Sequence, residues 1–154
     1  MNLGRKIVLF FATGCGLGYL PKAPGTFGTL LGIPLALGIS RFNWPMNLIA
    51  IIFVVVFSIW ISDNAALIIG TEDPSLVVID EVVGMLLTMT AVTISGKTIL
   101  AGFILFRVLD ILKPFPIGWL DQKIPGGMGI VADDLTAGIM ANFILRIGLL
   151  LFGR

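Results

Sequence analysis

From Phe42 to Ser62 the chain runs without one charged residue and is rich in Ile, Val and Phe. A helix needs about 20 mainly apolar residues to cross a bilayer, and this stretch supplies them, with Pro45 suited to its first turn. Such a run predicts a chain whose solvent is partly lipid. Composition agrees: 57% of the 154 residues are hydrophobic and 12% charged, where an ordinary soluble domain is about a quarter charged. So few charges cannot coat a globule of this size, and the mean hydropathy of +1.06 points the same way.

Other segments repeat the pattern. Leu76–Ser95, Thr98–Leu112 and Ile130–Phe152 predict spanning helices, and Ala23–Ser40 predicts a short or tilted crossing that starts near Thr26. Ile7–Leu20 is too short to span upright and contains three glycines. The expected fold class is all-α: a polytopic membrane helical bundle of about four spanning helices plus a short N-terminal interfacial or packed helix. Residues 1–154 form one domain.

The connections alternate in kind. Arg41–Pro45 and Ser95–Lys97 are tight, and Gly153–Arg154 is an end; Leu20–Thr29, Asp63–Ser75 and Lys113–Gly129 are longer and polar. Alternating crossings put the three longer loops on one side. That side also receives Asp80, Glu81, Arg107, Asp110, Asp133 and Asp134, which lie near segment ends. Charges scattered along the chain are thus expected to converge on one membrane face. Lys22, Lys113 and Lys123 share it, against Arg41, Lys97 and Arg154 opposite, so the positive-inside rule favours this face as cytoplasmic.

The residue inventory removes whole classes of chemistry. Histidine is absent and Cys15 is the only cysteine. Zinc sites need imidazole or thiolate, and Ser-His-Asp triads and phosphohistidine intermediates need His. A net charge of +1 without a Lys/Arg run offers no field for nucleic acid. Oxygen-ligated metals, chiefly Mg²⁺, remain.

Five carboxylates, Asp80, Glu81, Asp110, Asp133 and Asp134, lie within or at the ends of apolar segments, beside the cations Arg107 and Lys113. A charge inside a membrane helix costs about 2.5–3.5 kcal/mol on insertion scales and needs a partner or water. Ion pairing accounts for two of the five, and a divalent cation would offset the excess. Arg107, Asp110 and Lys113, spaced by three, share an arc of about 120° on a helix. Arg107 can fork onto phosphate oxygens, and Lys113 can add a point charge. Asp110 could hold metal, orient Arg107 or activate water.

Two glycine-rich segments accompany them. Residues 21–29, with Lys22, Thr26 and Thr29, precede a helix whose free N–H groups suit a phosphate. Gly126, Gly127 and Gly129 stand just before Asp133-Asp134. Gly84 and Gly138 each lie one turn beyond an acidic pair, where a neighbouring helix or a ligand could approach closely. Metal-assisted phosphoryl chemistry fits these parts. A small transporter that uses intramembrane carboxylates for cation or proton coupling is the alternative from another class.

Four blocks, Pro21–Thr29, Asp80–Gly84, Phe106–Ile117 and Gly126–Gly138, resemble in content and order the bacterial phosphatidylglycerophosphatase A family. The resemblance implies a Mg²⁺-dependent phosphatase of the bacterial inner membrane. Its substrate would be the lipid phosphatidylglycerophosphate, converted to phosphatidylglycerol. Asp80, Glu81, Asp110, Asp133 and Asp134 carry over as catalytic and metal-binding carboxylates, and Lys22, Arg107 and Lys113 as the motif cations.

Overall fold

The computed structural model describes residues 2–152. Among them are seven α-helices, one short 3-10 turn and no strand: α1 (Leu3–Ala12), the turn Leu17–Tyr19, α2 (Pro24–Ile39), α3 (Trp44–Ile69), α4 (Ile79–Thr88), α5 (Gly96–Leu112), α6 (Ile117–Lys123) and α7 (Gly126–Phe152). Arg154 of the expected opposite-face cations lies outside the described residues.

Local sequence explains most helix ends. The Asn43 side chain accepts from the Met46 amide at 3.2 Å, Pro45 sits in the first turn of α3, and Gly70 closes that helix at φ 85, the left-handed cap glycine favours. Ser95 and Thr98 make a reciprocal capping box on α5. α1 stops at Thr13 because Gly14, Cys15 and Gly16 all take positive φ. It packs on α3, where the Phe11 and Phe57 rings meet edge to face at 5.4 Å.

Among the described residues, two helices are long and apolar enough to cross a membrane, α3 and α7. Only 22% of each one's most apolar stretch is buried, which separates them from the core helices of a soluble protein. Their outer faces present Phe53, Val56, Trp60, Ile139, Phe143 and Leu150. Two such helices are fewer than the four expected. α2 has 16 residues and α5 has 17, just short of an upright crossing. The larger departure is α4, whose 10 residues replace the helix expected over Leu76–Ser95.

α4 is short because other residues take up its end. A helix leaves its last carbonyls without partners, and inside a bundle they must find donors. Asn142 Nδ2 donates at 2.8 Å to the carbonyl of Thr88, the last residue of α4, and at 2.9 Å to that of Thr90 in the turn after it, where Arg146 also donates to Thr90 and Ala91 at 3.1 and 3.0 Å. Both donors come from α7. With its end satisfied there, α4 stops and Ala91 turns at φ 51.

α4 is also the most enclosed helix: Val83 and Met85 are fully buried, and Leu86 nearly so. Close backbone approach makes this possible. A Cβ on Gly138 of α7 would lie 2.4 Å from the Gly84 carbonyl oxygen, and one on Gly32 of α2 would lie 2.7 Å from that of Val82. Gly84 and Gly138 therefore serve helix packing. Their contact locks α4 against α7 one turn from each acidic pair.

α3 runs two turns beyond Ser62, through residues expected to form a loop, and α6 occupies part of the expected loop 113–129. α7 begins at Gly126 rather than Ile130. The Gly127 amide donates to Asp63 Oδ1 of α3 at 3.0 Å, so a side chain 64 positions away caps this end.

Candidate active site

A cavity of about 420 Å³ opens where the α2 N-terminus, the 72–75 loop, the first turn of α4, the end of α5, α6 and the start of α7 meet. Asp80, Glu81, Arg107, Asp110, Lys113, Asp133 and Asp134 all line it, with Gly126 and Gly129. The convergence expected from alternating segments is thus present at one end of the bundle. A much smaller cavity near Asn47 and Thr90 shares no lining residue with it.

Four other expected residues fall outside the wall. Lys22 is exposed and Thr26 half-buried. Thr29 is fully buried and its hydroxyl donates to the Gly25 carbonyl at 2.8 Å, which engages it within its own helix. Gly127 presses against α3, where a Cβ would meet the Ile59 carbonyl oxygen at 2.4 Å. Residues 126–129 form the first turn of a helix rather than a loop, and Gly129 is there because Ile124 leaves no room for a side chain.

The carboxylates divide into two sets. Asp80, Glu81 and Asp134 each offer an oxygen within 4.8 Å of the others. Asp110 and Asp133 are instead paired with cations: Arg107 with Asp110, and Lys113 Nζ with Asp133 Oδ2 at 2.8 Å. Arg107 also lies 4.0 Å from Glu81. The N-terminal position of Asp80 and Glu81 on α4 is favoured by the helix dipole, and the Gly84–Gly138 contact brings them to Asp134.

Unmet demand for positive charge is visible atom by atom. Among the described residues, Asp80 Oδ1, Glu81 Oε2, Asp133 Oδ1 and Asp134 Oδ2 are buried without a hydrogen-bond partner. Buried polar atoms are nearly always paired, and buried charges are paired or bind metal. Burial, and then the charges of Glu81 and Asp134, push the Asp80 carboxyl well above its ordinary range. The converging donors are all carboxylate oxygens, the set a hard divalent cation takes at about 2.0–2.6 Å. Asp80, Glu81 and Asp134 could hold such an ion.

Lys113 caps α5 in the left-handed region at φ 43, a conformation that costs a non-glycine residue about 1–2 kcal/mol. Its ammonium bridges Asp133 and Asp121, the latter at 2.7 Å. Burial alone would lower its pKa, but the two carboxylates outweigh it and hold the group above its ordinary value.

Sequence reasoning missed three contributors. Asp121 sits eight residues past Lys113 in what read as loop. Asp63 caps α7 from another helix. Gly25 faces the site so closely that a Cβ would lie 2.1 Å from Glu81 Oε1. Only the last had a visible signal: Gly25, Gly28 and Gly32 recur at helical spacing along the face of α2 that meets α4.

The sequence signature of phosphatidylglycerophosphatase A matches residues 10–149. A protein named phosphatidylglycerophosphatase A from Escherichia coli is 36% identical over 87% of this chain and 78% of its own length. Its namesake from Haemophilus influenzae is also 36% identical, over 87% of this chain and 83% of its own. A protein of Bacteroides thetaiotaomicron, provisionally named a phosphatidylinositol-3-phosphatase, is 31% identical over 90% and 91%. No solved structure matches the chain.

Proposed function

The chain belongs to the phosphatidylglycerophosphatase A family, and on that premise we propose that it hydrolyses the phosphomonoester of phosphatidylglycerophosphate to phosphatidylglycerol and phosphate. The observation that carries the reading is the cavity itself. Two cations suited to phosphate stand beside buried carboxylate oxygens that lack partners, at one end of a bundle with an apolar outer surface.

We assign Mg²⁺ to Asp80, Glu81 and Asp134, with Asp133 and Asp110 beside it. Bound there, the ion would supply positive charge against the phosphate oxygens and lower the pKa of a water. The chain's own residues do the rest. Arg107, held by Asp110, presents its planar fork to two phosphate oxygens. Lys113, the cap of the same helix, adds a point charge, so both cations meet charge that builds up in the transition state. Gly126 and Gly129 line the α7 side of the wall.

Asp110 is assigned the water's proton. Water oxygen forms the new P–O bond, the bond from phosphorus to the glycerol oxygen breaks, and the proton passes to the leaving alkoxide. The cavity suits a headgroup, and the acyl chains stay in the bilayer. We place the chain in the bacterial inner membrane as a multi-pass protein, α2 and α5 crossing tilted beside α3 and α7, with the cavity toward the cytoplasm. The cations Lys22, Lys113 and Lys123 support that orientation.

The 31% relative with a different named substrate makes headgroup choice the point to test. Purified chain in detergent is offered phosphatidylglycerophosphate, phosphatidylinositol 3-phosphate and a soluble phosphomonoester, and released phosphate is measured. Turnover is expected to be fastest on phosphatidylglycerophosphate. Preference for the inositol lipid would overturn the substrate, and release from none would overturn the reaction.

A further inference from the structure

We propose that Asp121 is a positioning residue that sets Lys113 for the phosphate, an inference that rests on the function proposed above. Asp121 lies on α6, apart from the carboxylate cluster. Its Oδ1 binds Lys113 Nζ at 2.7 Å, while Asp133 Oδ2 binds the same nitrogen at 2.8 Å. An ammonium has three N–H donors. Held by one carboxylate, it can swing about that contact. Held by two, it has one N–H left, and Lys113 lines the cavity.

The backbone supports the same end. Left-handed residues persist only where their surroundings fix them, and Lys113 is fixed from several sides. Its amide donates to the Leu109 carbonyl at 2.8 Å. Gly118 of α6 packs so closely that a Cβ would lie 2.7 Å from the Lys113 carbonyl oxygen. α6 therefore holds both ends of this residue, the carbonyl through Gly118 and the ammonium through Asp121.

Electrostatics separates positioning from binding. Asp121 is a carboxylate on the wall of a cavity assigned to an anion, so its charge opposes substrate binding. Its Oδ1 has its hydrogen-bond partner in Lys113, and its side chain is 35% exposed, whereas Asp80, Glu81 and Asp134 each keep a buried oxygen unpartnered among the described residues. Removing the charge eases binding while freeing Lys113 to wander. The first effect lowers KM and the second lowers kcat.

Steady-state phosphate release from phosphatidylglycerophosphate tests this with Asp121→Asn, Asp121→Glu, Lys113→Ala and the double variant Lys113→Ala/Asp121→Asn. Asp121→Asn is expected to lower kcat by about tenfold, the scale of lost outer contacts to active-site groups, with KM unchanged or lower. Asp121→Glu restores most of kcat. In the double variant, Asp121→Asn adds little to the loss from Lys113→Ala, since contacts that act through one group are not additive. Wild-type kcat in Asp121→Asn, a raised KM at intact kcat, or full additivity with Lys113→Ala would overturn the proposal alone. A wild-type chain that releases no phosphate would overturn the function and the proposal together.

Discussion

Replacing Gly25 with alanine perturbs the site while sparing the fold. The added Cβ would stand 2.1 Å from Glu81 Oε1 and 3.1 Å from an Arg107 guanidinium nitrogen. Ordinary contact begins near 3.4 Å, so the Glu81 oxygen must retreat by about 1.3 Å. The atom displaced is the tip of a side chain, so α2 itself need not move. Alanine is also about 1 kcal/mol better than glycine within a helix. The disturbance therefore falls on the Asp80, Glu81 and Asp134 group. Disturbing the support of a metal site costs about 10–100-fold in affinity, or about 1.4–2.7 kcal/mol. Calorimetric titration of Mg²⁺ into the purified variant reads this directly. Gly38→Ala is the control, because a Cβ there meets nothing within 4 Å. If Gly25→Ala binds Mg²⁺ and turns over like Gly38→Ala, then Glu81 is not held where the cation is assigned.

Other perturbations reach different links. Gly138→Ala drives a Cβ to 2.4 Å from the Gly84 carbonyl oxygen, a backbone atom that cannot turn aside. Overpacking of this kind costs about 1–3 kcal/mol, and thermal unfolding in detergent should show a lowered Tm with activity lost alongside. Asn142→Leu leaves the Thr88 carbonyl without its donor, while Thr90 keeps Arg146, at about 1–3 kcal/mol for a buried group left unmet. It should lower Tm while Mg²⁺ affinity stays near the wild-type value. For pH, the Asp80 carboxyl is raised well above its ordinary range, chiefly by burial. The metal-free fold thus binds more protons than the unfolded chain, so its stability falls as pH rises through the raised value. Mg²⁺ binding expels that proton, so the rise in Tm on adding Mg²⁺ should grow with pH over the same range. A rise that shrinks with pH would refute that assignment.

What could be read in the sequence was the arrangement of charge. Alternating apolar segments place Asp80, Arg107 and Asp134 at one end of the bundle without knowledge of any contact. The length of α4 could not be read that way. Residues after Thr88 remain uncharged, and the helix ends where Asn142 takes its last carbonyl and Arg146 holds the turn after it, both over 50 positions away. The start of α7 was hidden likewise, since Gly126–Gly129 reads as loop until Asp63 caps it. Thr29 looked like a phosphate donor because a sequence does not say which way a hydroxyl faces; its bond to Gly25 turns it inward. Spacing could not separate the five carboxylates either. Which oxygens pair with Arg107 and Lys113, and which are left over, depends on how helices cross.

Asp80, Glu81 and Asp134 are the residues assigned to hold Mg²⁺ for hydrolysis of a lipid phosphomonoester. Phosphate release from phosphatidylglycerophosphate by the wild type and Asp134→Asn, each with Mg²⁺ and with chelator, tests this assignment most directly. Rapid release is expected from the wild type only with Mg²⁺, with a loss of about 100-fold or more in Asp134→Asn. Equal release with chelator, or full activity in the variant, would contradict it.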